Sequence, residues 1–335
     1  MFSTPEVSGN HLFVGSCAGI FYSLDPETGE PQWEYDITQD GEQTSFHGNM
    51  LITDDAVLIG TDDGEGHIYA FDKETGEVLW KFPAGRGVST DIMRHGDAVY
   101  AVTLEDHVVC LDLETGEPRW QLPTGGEPQE RFTLGSTPAL AGGRVYFGGL
   151  DGNVYAFDAA NGNLKWKTDV ESQVVTSTLL LDDAIIVGTD YAELHQLNTE
   201  TGKIENTTVL PRRARGHFIT LPDGKFCIFL AETTWEGELA AFNPDLEMAW
   251  SVDPPDGTIF ANARPFLLDS WILAGTQGGN LYAIDSNTGK VAWSHEVGPN
   301  RDWEGDGVRV FGVHESTLFV GTISGAVYAF EVRGP

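Results

Sequence analysis

Arginine is the residue type whose placement in this chain suggests chemistry. Eight of the twelve arginines fall in segments that join recurring groups of strands, or at the start of the strand that follows. They are Arg86, Arg131, Arg212, Arg213, Arg215, Arg264, Arg301 and Arg309. A guanidinium group binds a carboxylate or a phosphate through two parallel N–H donors. His217 and Trp303 lie in comparable segments and complete a predicted ligand-binding set for an anion.

Two interpretations of these arginines are open at the level of sequence. In the first, they converge on a pocket for a sugar acid, an acidic peptide or a phosphate. In the second, they neutralise nearby carboxylates and join neighbouring groups of strands through salt bridges. The chain has 51 acidic residues against 19 basic ones, so carboxylate partners are abundant.

Catalytic and metal-binding motifs are weak. Residues 302–306 place Asp302, Glu304 and Asp306 at alternate positions, like the first half of a calcium loop, but Val313 occupies the position of the bidentate Glu. Residues 62–66 are interpreted as a lengthened turn. The sequence has no Gly-x-Ser-x-Gly elbow, no His-Glu-x-x-His motif and no P-loop. We therefore predict no catalytic residues and no metal site.

The charge balance limits the partners. The formal net charge is −32, spread along the chain rather than gathered in a tail. Such a composition resembles the proteins of salt-loving microbes and indicates a solvated folded surface. Because the surface repels itself at low ionic strength, we predict that the melting temperature rises from low to molar salt; an unchanged value would contradict this. Nucleic acid is not an expected partner, since phosphate binding needs clustered cations.

The cysteines and the apolar segments carry little further information. Cys17, Cys110 and Cys227 are scattered without a Cys-x-x-Cys motif, and we interpret them as small apolar fillers. No stretch approaches the roughly 20 apolar residues of a spanning helix, so no direct membrane insertion is predicted. Residues 1–5 lack the charged and apolar regions of a signal peptide.

One motif recurs along the chain: an apolar strand ending in Gly, a short polar turn, and a second strand ending in an acidic or amide residue. The second strands end at Asp25, Asp72, Asp112, Asp158, Asn198, Asn243, Asp285 and Glu331. The successive gaps of 47, 40, 46, 40, 45, 42 and 46 residues match the length of a four-stranded propeller blade.

A tryptophan follows most of these positions after seven or eight residues. These tryptophans are Trp33, Trp80, Trp120, Trp166, Trp250 and Trp293, and Asn206 takes the position in the fifth copy. A Thr-Gly or Asn-Gly turn lies between the acidic residue and most of the tryptophans, where Gly supplies the positive φ of a tight turn. We predict that the indole rings fill the space between neighbouring sheets and dock one blade on the next.

These repeats predict an all-β, eight-bladed β-propeller of four-stranded antiparallel blades, with residues 1–335 as a single domain. A Ser-Thr-Pro segment in the best copies, residues 3–5 and 136–138, is expected to supply the innermost strand. The eighth copy stops after its third strand, so either the last blade has three strands, or a tryptophan-bearing outer strand that precedes the given sequence is missing from it.

The repeat G-x-x-D-G-x-h-Y-A-h-D…T-G-x-x-x-W, in which h is an apolar residue, resembles the PQQ-type repeat of quinoprotein alcohol dehydrogenases and of the BamB family. The resemblance covers residues 3–332. It implies PQQ and calcium as cofactors if the chain is an enzyme, and PQQ, a tricarboxylate, would suit the arginine set. Such enzymes usually add long insertions and a disulfide between adjacent cysteines, which this chain lacks. The resemblance therefore implies a short, repeat-only member and an exported location.

Together these observations predict a monomeric, non-catalytic scaffold that binds a protein or a small anionic ligand on its arginine-lined face, with no cofactor. A small PQQ-dependent dehydrogenase is one alternative, and an extracytoplasmic sensor domain of a signalling protein is another. Fold alone does not decide between them, since one scaffold hosts many functions.

Overall fold

The computed structural model describes residues 3–41, 45–46, 48–62, 65–104, 107–123, 137–232, 237–258, 264–297, 307–322 and 324–332. In these residues it contains 31 β-strands and one short 3-10 helix, Ile37–Asp40. The prediction of the fold is confirmed: the chain is an eight-bladed β-propeller of antiparallel blades. Seven blades have four strands and the last has three.

The chain divides into two compact units, and its treatment as a single domain stays a prediction. One unit consists mainly of Met1–Pro123 and Val310–Pro335. The other consists mainly of Phe132–Arg309. In the first unit, blade 1 consists of β1 to β4, Glu6–Ser8, His11–Gly15, Ile20–Leu24 and Pro31–Asp36. Blade 2 consists of β5 to β8, Leu51–Ile52, Ala56–Gly60, His67–Asp72 and Val78–Pro83. Blade 3 consists of β9 to β12, Met93–His95, Ala98–Val102, His107–Asp112 and Pro118–Pro123.

The second unit holds blades 4 to 7. Blade 4 consists of β13 to β16, Ala139–Ala141, Arg144–Gly148, Asn153–Asp158 and Leu164–Asp169. Blade 5 consists of β17 to β20, Leu179–Leu181, Ala184–Gly188, Glu193–Asn198 and Ile204–Val209. Blade 6 consists of β21 to β24, Ala214–Thr220, Phe226–Ala231, Gly237–Phe242 and Met248–Val252, and blade 7 of β25 to β28, Phe266–Leu268, Trp271–Gly275, Asn280–Asp285 and Val291–Glu296. Blade 8 consists of β29 to β31, Val308–His314, Thr317–Thr322 and Val327–Glu331, almost wholly in the first unit.

The side chains of the two central strands of a blade are buried on both faces of the sheet. In blade 4, Val145, Tyr146 and Phe147 of β14 are all buried, as are Val154 and Ala156 of β15. Outer strand β16 instead alternates exposed and covered residues around the buried Trp166. A continuous run of apolar residues is therefore typical of a central strand, and alternation of exposed and covered residues is typical of an outer strand.

The turn between the third and outer strands has a repeated hydrogen-bond pattern. In blade 7, Asp285 Oδ1 accepts from Asn287 N at 3.1 Å and from Thr288 N at 2.8 Å. Gly289 has a φ of 69° and donates its N–H to Asp285 O at 2.9 Å. The acidic side chain and the Gly thus close the turn together.

Four of the predicted docking tryptophans make the same contact within their unit. Each indole Nε1–H donates to the residue that follows the acidic or amide position of the next blade: Trp33 to Lys73 O at 3.1 Å, Trp80 to Leu113 O at 3.1 Å, Trp166 to Thr199 O at 2.9 Å and Trp250 to Ser286 O at 3.2 Å. Their rings cover Gly76, Gly116, Gly202 and Gly289. Trp120 is half-buried beside Tyr100, with ring centroids 5.9 Å apart, and Trp293 is 44% exposed.

The Ser-Thr-Pro segment precedes the innermost strand instead of forming it. The buried Ser3 hydroxyl accepts from Gly15 N at 2.8 Å and donates to Gly15 O at 3.1 Å. Strand β1 begins only at Glu6, after Pro5. The hydroxyl therefore fixes the entry of the innermost strand to the end of the second strand.

Candidate binding site

The predicted arginine set is only partly within the described residues. Arg131, Arg301 and Trp303 lie outside them, as does the acidic segment 302–306, and for Arg309 the structure describes only the backbone in β29. Arg86 belongs to the first unit, where it is half-buried in the turn after β8 and has no ion-pair partner among the described residues. Arg264 is exposed just before β25 in the second unit.

Arg212, Arg213 and Arg215 cluster at the start of blade 6. Arg213 Nη1 and Arg215 Nη2 each lie 3.4 Å from Oδ1 of Asp190, a residue of the turn between β18 and β19 in blade 5. Arg212 Nη1 lies 3.8 Å from Glu238 Oε1 and 3.6 Å from Asp253 Oδ1. The structure thus gives these three arginines the salt-bridge role of the second interpretation, and Arg213 and Arg215 link two blades.

These ion pairs leave capacity for another ligand. Their N–O distances exceed the roughly 2.7–2.9 Å of a tight charge-assisted hydrogen bond. All three arginine side chains are between 30% and 39% exposed. Arg213 and Arg215 share the single carboxylate of Asp190, whereas Arg212 lies near two carboxylates, so three arginines face three carboxylates in total. His217 is half-buried on β21 in the same segment.

Two exposed apolar side chains lie on the blade 5 side of this cluster. Tyr191 is 69% exposed and Val209 is 74% exposed. Leu210 N donates to Ala192 O at 2.7 Å, which ties the segment after β20 to the turn that carries Tyr191. We call Tyr191, Val209, Arg212, Arg213 and Arg215 the blade 5–6 patch.

The local sequence explains why these side chains project outward. Buried Leu210 anchors the segment after β20, and Val209 falls on the exposed face of that alternating strand. Asp190 N donates to Gln173 O at 2.9 Å, which holds the turn between β18 and β19 that carries Tyr191. Ala192 has a φ of 58°, a left-handed conformation that an L-residue adopts at a cost. A fixed turn therefore carries exposed Tyr191 directly after Asp190, the residue that Arg213 and Arg215 contact.

Tyr191 and Val209 were missed by the sequence reasoning. A signal was present: the blade 4 turn reads Asp151-Gly152-Asn153, whereas the corresponding residues of blade 5 are Tyr191-Ala192-Glu193. The same position holds the small residues Ala18, Gly278 and Ser324 in blades 1, 7 and 8, so a large aromatic residue departs from the repeat there. Aromatic residues and Arg together are enriched in protein–protein interfaces.

Two other carboxylates near loops, Asp40 and Asp151, are engaged in structural contacts. Asp40 lies 2.8 Å from Lys81 Nζ and accepts hydrogen bonds from Tyr35 and Tyr69 at 2.6 and 3.0 Å. Burial acts to raise the pKa of Asp40, but these three donors outweigh it and lower the pKa. In blade 4, Asp151 Oδ2 similarly accepts from Tyr155 at 2.5 Å. These hydrogen bonds hold the loops that carry the two carboxylates.

A calcium site needs several oxygen ligands close together. Within the described residues, no group of three or more His, Cys, Asp or Glu side chains could hold a metal ion. Cys17 is exposed, and Cys110 and Cys227 are separate free thiols whose pKa is raised by burial. No helix in the described part of the chain is long and apolar enough to cross a membrane.

The fold and the patch define a repeat β-propeller that presents an aromatic and arginine-rich surface from its loops. A family model described as outer membrane protein assembly factor BamB matches residues 1–208 and 179–334. The chain belongs to this family, as the resemblance in the repeats predicted.

Individual relatives are distant. The outer membrane protein assembly factor BamB of Burkholderia pseudomallei is 30% identical over 207 residues, 60% of this chain and 54% of the relative. The chain thus spans about half the length of the curated relatives it matches. The crystal structure of BamB from Moraxella catarrhalis superposes with a TM-score of 0.76 at 18% identity, covering 98% of this chain and 96% of that one. Quinohemoprotein alcohol dehydrogenase from Comamonas testosteroni gives 0.73 at 15% identity, covering 96% and 70%. At these identities the two structures are similar in fold alone.

Proposed function

We propose that this chain is a non-catalytic scaffold that binds a protein partner through the blade 5–6 patch. The observation that carries the proposal is the pairing of Tyr191, 69% exposed, with three arginines whose carboxylate contacts are long. A large aromatic ring contributes contact area at small entropic cost, and a guanidinium group binds a carboxylate through two parallel N–H donors. Membership in a family named for outer membrane protein assembly supports a protein partner and an exported location.

The charge of the chain favours a partner held by short-range contacts. With a net charge of −32, a negatively charged protein is repelled at long range when the salt is dilute. In molar salt the screening length falls to about 3 Å, so only groups in direct contact attract. The patch offers such contacts: an aromatic face for an apolar side chain and guanidinium groups for a carboxylate. A small anionic ligand would use the arginines but would leave Tyr191 and Val209 uncovered.

The proposal is tested by selecting ligands from an unbiased displayed library of 12-residue peptides in molar potassium chloride. The selected peptides are then measured against Tyr191→Ala, against Arg213→Ala with Arg215→Ala, and against Leu164→Ala as a matched control. Leu164 is an exposed apolar residue of the same unit, 54% exposed and outside the patch. We expect about tenfold or greater loss of affinity for each patch variant and no change for the control.

Two results would contradict the proposal. Selected peptides could bind the patch variants as tightly as the unchanged protein, which would place the binding surface elsewhere. Alternatively, binding could depend on the arginines and not on Tyr191, and be displaced by citrate or phosphate, which would indicate a small-anion site. Titration with PQQ and calcium is the corresponding test of the enzyme alternative, for which we expect no thermal shift.

A further inference from the structure

Two arginines outside the blade 5–6 patch make tight ion pairs. In blade 3, Arg119 Nη1 lies 2.9 Å from Asp97 Oδ1, and Arg119 Nη2 lies 2.9 Å from Asp97 Oδ2. The same Nη2 lies 2.7 Å from Asp112 Oδ2. In blade 4, Arg144 Nη2 lies 2.6 Å from Glu200 Oε2. These are the distances of charge-assisted hydrogen bonds, so both arginines are well satisfied by carboxylates of the fold itself.

The patch arginines do not reach that geometry. Arg213 Nη1 and Arg215 Nη2 each lie 3.4 Å from the same atom, Oδ1 of Asp190. Among the described residues, neither group has the two short parallel N–H···O bonds that a guanidinium forms with a carboxylate of its own. Arg212 lies 3.6 and 3.8 Å from its two carboxylates. Asp190 is therefore a weaker partner for these arginines than the carboxylates that pair with the arginines of blades 3 and 4.

The turn that carries Asp190 departs from its counterparts in two ways. In four other blades a glycine holds the left-handed position of this turn with φ angles between 78° and 89°: Gly19, Gly152, Gly279 and Gly325. Blade 5 has Ala192 there. In blade 7 the Thr276 hydroxyl accepts from Asn280 N at 3.2 Å, whereas the buried hydroxyl of its counterpart Thr189 has no hydrogen-bond partner among the described residues. Both departures lower stability, and such costs concentrate where proteins bind their ligands.

The balance of charge determines how a further carboxylate can bind the patch. The three patch arginines face three carboxylates, which belong to Asp190, Glu238 and Asp253. A fourth carboxylate added to this set would leave an excess of negative charge at short range, which is unfavourable even in molar salt. A partner carboxylate that replaces one of the three keeps the charges balanced. Exchange is therefore favoured over addition.

Asp190 is the carboxylate best placed for exchange. Glu238 is held on β23 with its side chain only 13% exposed. Asp253 contacts a single arginine in the described part of the chain and is 73% exposed, so water screens its charge. Asp190 is 35% exposed, faces two arginines through one oxygen and directly precedes Tyr191. A carboxylate that takes its place therefore comes next to the exposed aromatic ring.

We propose that Asp190 is an internal competitor for a carboxylate of the partner. In the free protein it occupies Arg213 and Arg215. In the complex an Asp or Glu side chain of the partner takes its place with the short, two-bonded contact that Asp190 does not make, and Asp190 turns to solvent. An apolar side chain beside the partner's acidic residue covers Tyr191. The inference rests on the proposed function, since it requires that the partner bind the blade 5–6 patch, and it names what the patch selects: an acidic residue next to an apolar one.

The exchange is tested with Asp190→Asn, which removes the competing charge and keeps the size of the side chain. Asp182→Asn is the matched control, since it makes the same change at an exposed residue of the same blade, in the turn between β17 and β18. Its φ of 52° is a conformation that Asn adopts readily. Asp253→Asn separates exchange at Asp190 from a general loss of negative charge near the patch.

The probes are 12-residue displayed peptides, selected in molar potassium chloride on the unchanged protein and, in parallel, on Asp190→Asn. The tightest binder from each selection is synthesised with an amidated C-terminus in two forms. One form is the peptide as selected, and the other has every Asp and Glu replaced by Asn and Gln. Calorimetric titration gives the dissociation constants of both forms for the unchanged protein, the three Asn variants, and Arg213→Ala combined with Arg215→Ala.

We expect the acidic peptides to bind Asp190→Asn at least about tenfold more tightly than the unchanged protein. Asp182→Asn should bind them within about twofold of the unchanged protein, because molar salt screens a distant charge, and Asp253→Asn should gain less than about threefold. The amide forms are expected to bind the unchanged protein and Asp190→Asn equally weakly.

The proposal is overturned if Asp190→Asn binds the acidic peptides no more tightly than the unchanged protein, or if Asp253→Asn gains as much. It is also overturned if neither selection yields a peptide whose binding needs its carboxylates. Failure of the proposed function has a different signature, because binding would then survive the combined replacement of Arg213 and Arg215 by Ala. Failure of the exchange alone leaves binding dependent on these arginines and insensitive to Asp190.

Discussion

Blades 4 and 5 are neighbours in one unit, and they use the same positions of the repeat differently. Blade 4 follows the repeat throughout: Asp158 at the end of its third strand, Trp166 on its outer strand and Asp151-Gly152 in the opposite turn. Blade 5 has Asn198 and Asn206 at the first two positions and Tyr191-Ala192 in the turn. Positions that keep the repeat hold the blades together, and positions that depart from it present the blade 5–6 patch.

The comparison also separates two ways of docking a blade. Trp166 is 8% exposed, covers Gly202 and donates to Thr199 O at 2.9 Å. Asn206 donates to Asp245 O at 2.6 Å from the corresponding position, without a ring to bury. Both blades therefore donate a side-chain hydrogen bond to the next blade. In blade 4 the indole ring of Trp166 adds an apolar contact.

The largest predicted effect follows from that difference. Trp166→Ala is expected to lower the free energy of unfolding by about 3–5 kcal/mol, because it leaves a cavity between two blades. Asn206→Ala is expected to cost about 1 kcal/mol, the worth of one hydrogen bond. Chemical denaturation in molar salt measures both. Equal losses would show that the indole ring contributes no more than its hydrogen bond.

A smaller effect concerns pH. The pKa of Asp158 is lowered, chiefly by its hydrogen bond with Lys165, so the folded state favours the carboxylate. This stabilisation is present above the ordinary value of 3.8 and is lost as the pH falls through the lowered folded pKa. Asp158→Asn keeps the acceptor oxygen, as Asn198 does in blade 5, but removes the titration.

We therefore expect the denaturation midpoint to fall less between pH 5 and pH 2.5 in Asp158→Asn than in the unchanged chain. The reciprocal variant, Asn198→Asp, should fall more. Identical pH profiles for all three proteins would mean that the turn carboxylate has no linkage to folding.

The smallest predicted effect on stability is at the patch. Tyr191→Ala removes a side chain that is 69% exposed, so the free energy of unfolding should change by less than about 0.5 kcal/mol. Leu164→Ala, at an exposed apolar residue of blade 4, should behave alike. A loss above about 1 kcal/mol for Tyr191→Ala alone would assign this ring a packing role and weaken its assignment to binding.

The fold was predictable because its signals are local and repeated. An acidic residue, a Gly and a Trp recur at nearly fixed spacing, and each has one geometric use: closing a turn or covering the next blade. The three-stranded last blade was one of the two alternatives that the sequence left open. The prediction that the Ser-Thr-Pro segment forms the innermost strand was wrong. The segment precedes that strand, and the Ser3 hydroxyl ties the strand entry to Gly15.

The candidate site was less predictable because it depends on contacts between distant residues. That Arg213 and Arg215 share Asp190 follows from the packing of blade 5 on blade 6, which no spacing in the sequence specifies. Tyr191 was recognisable only as a departure from the repeat.

Hydrogen–deuterium exchange of the protein, with and without a peptide selected on it, tests most directly whether blade 5 presents the binding surface. Protection is predicted in residues 189–192 and 209–215, with the corresponding blade 4 turn, residues 149–153, unchanged. Protection confined to the blade 4 turn, or to segments away from blades 5 and 6, would contradict the assignment of the patch.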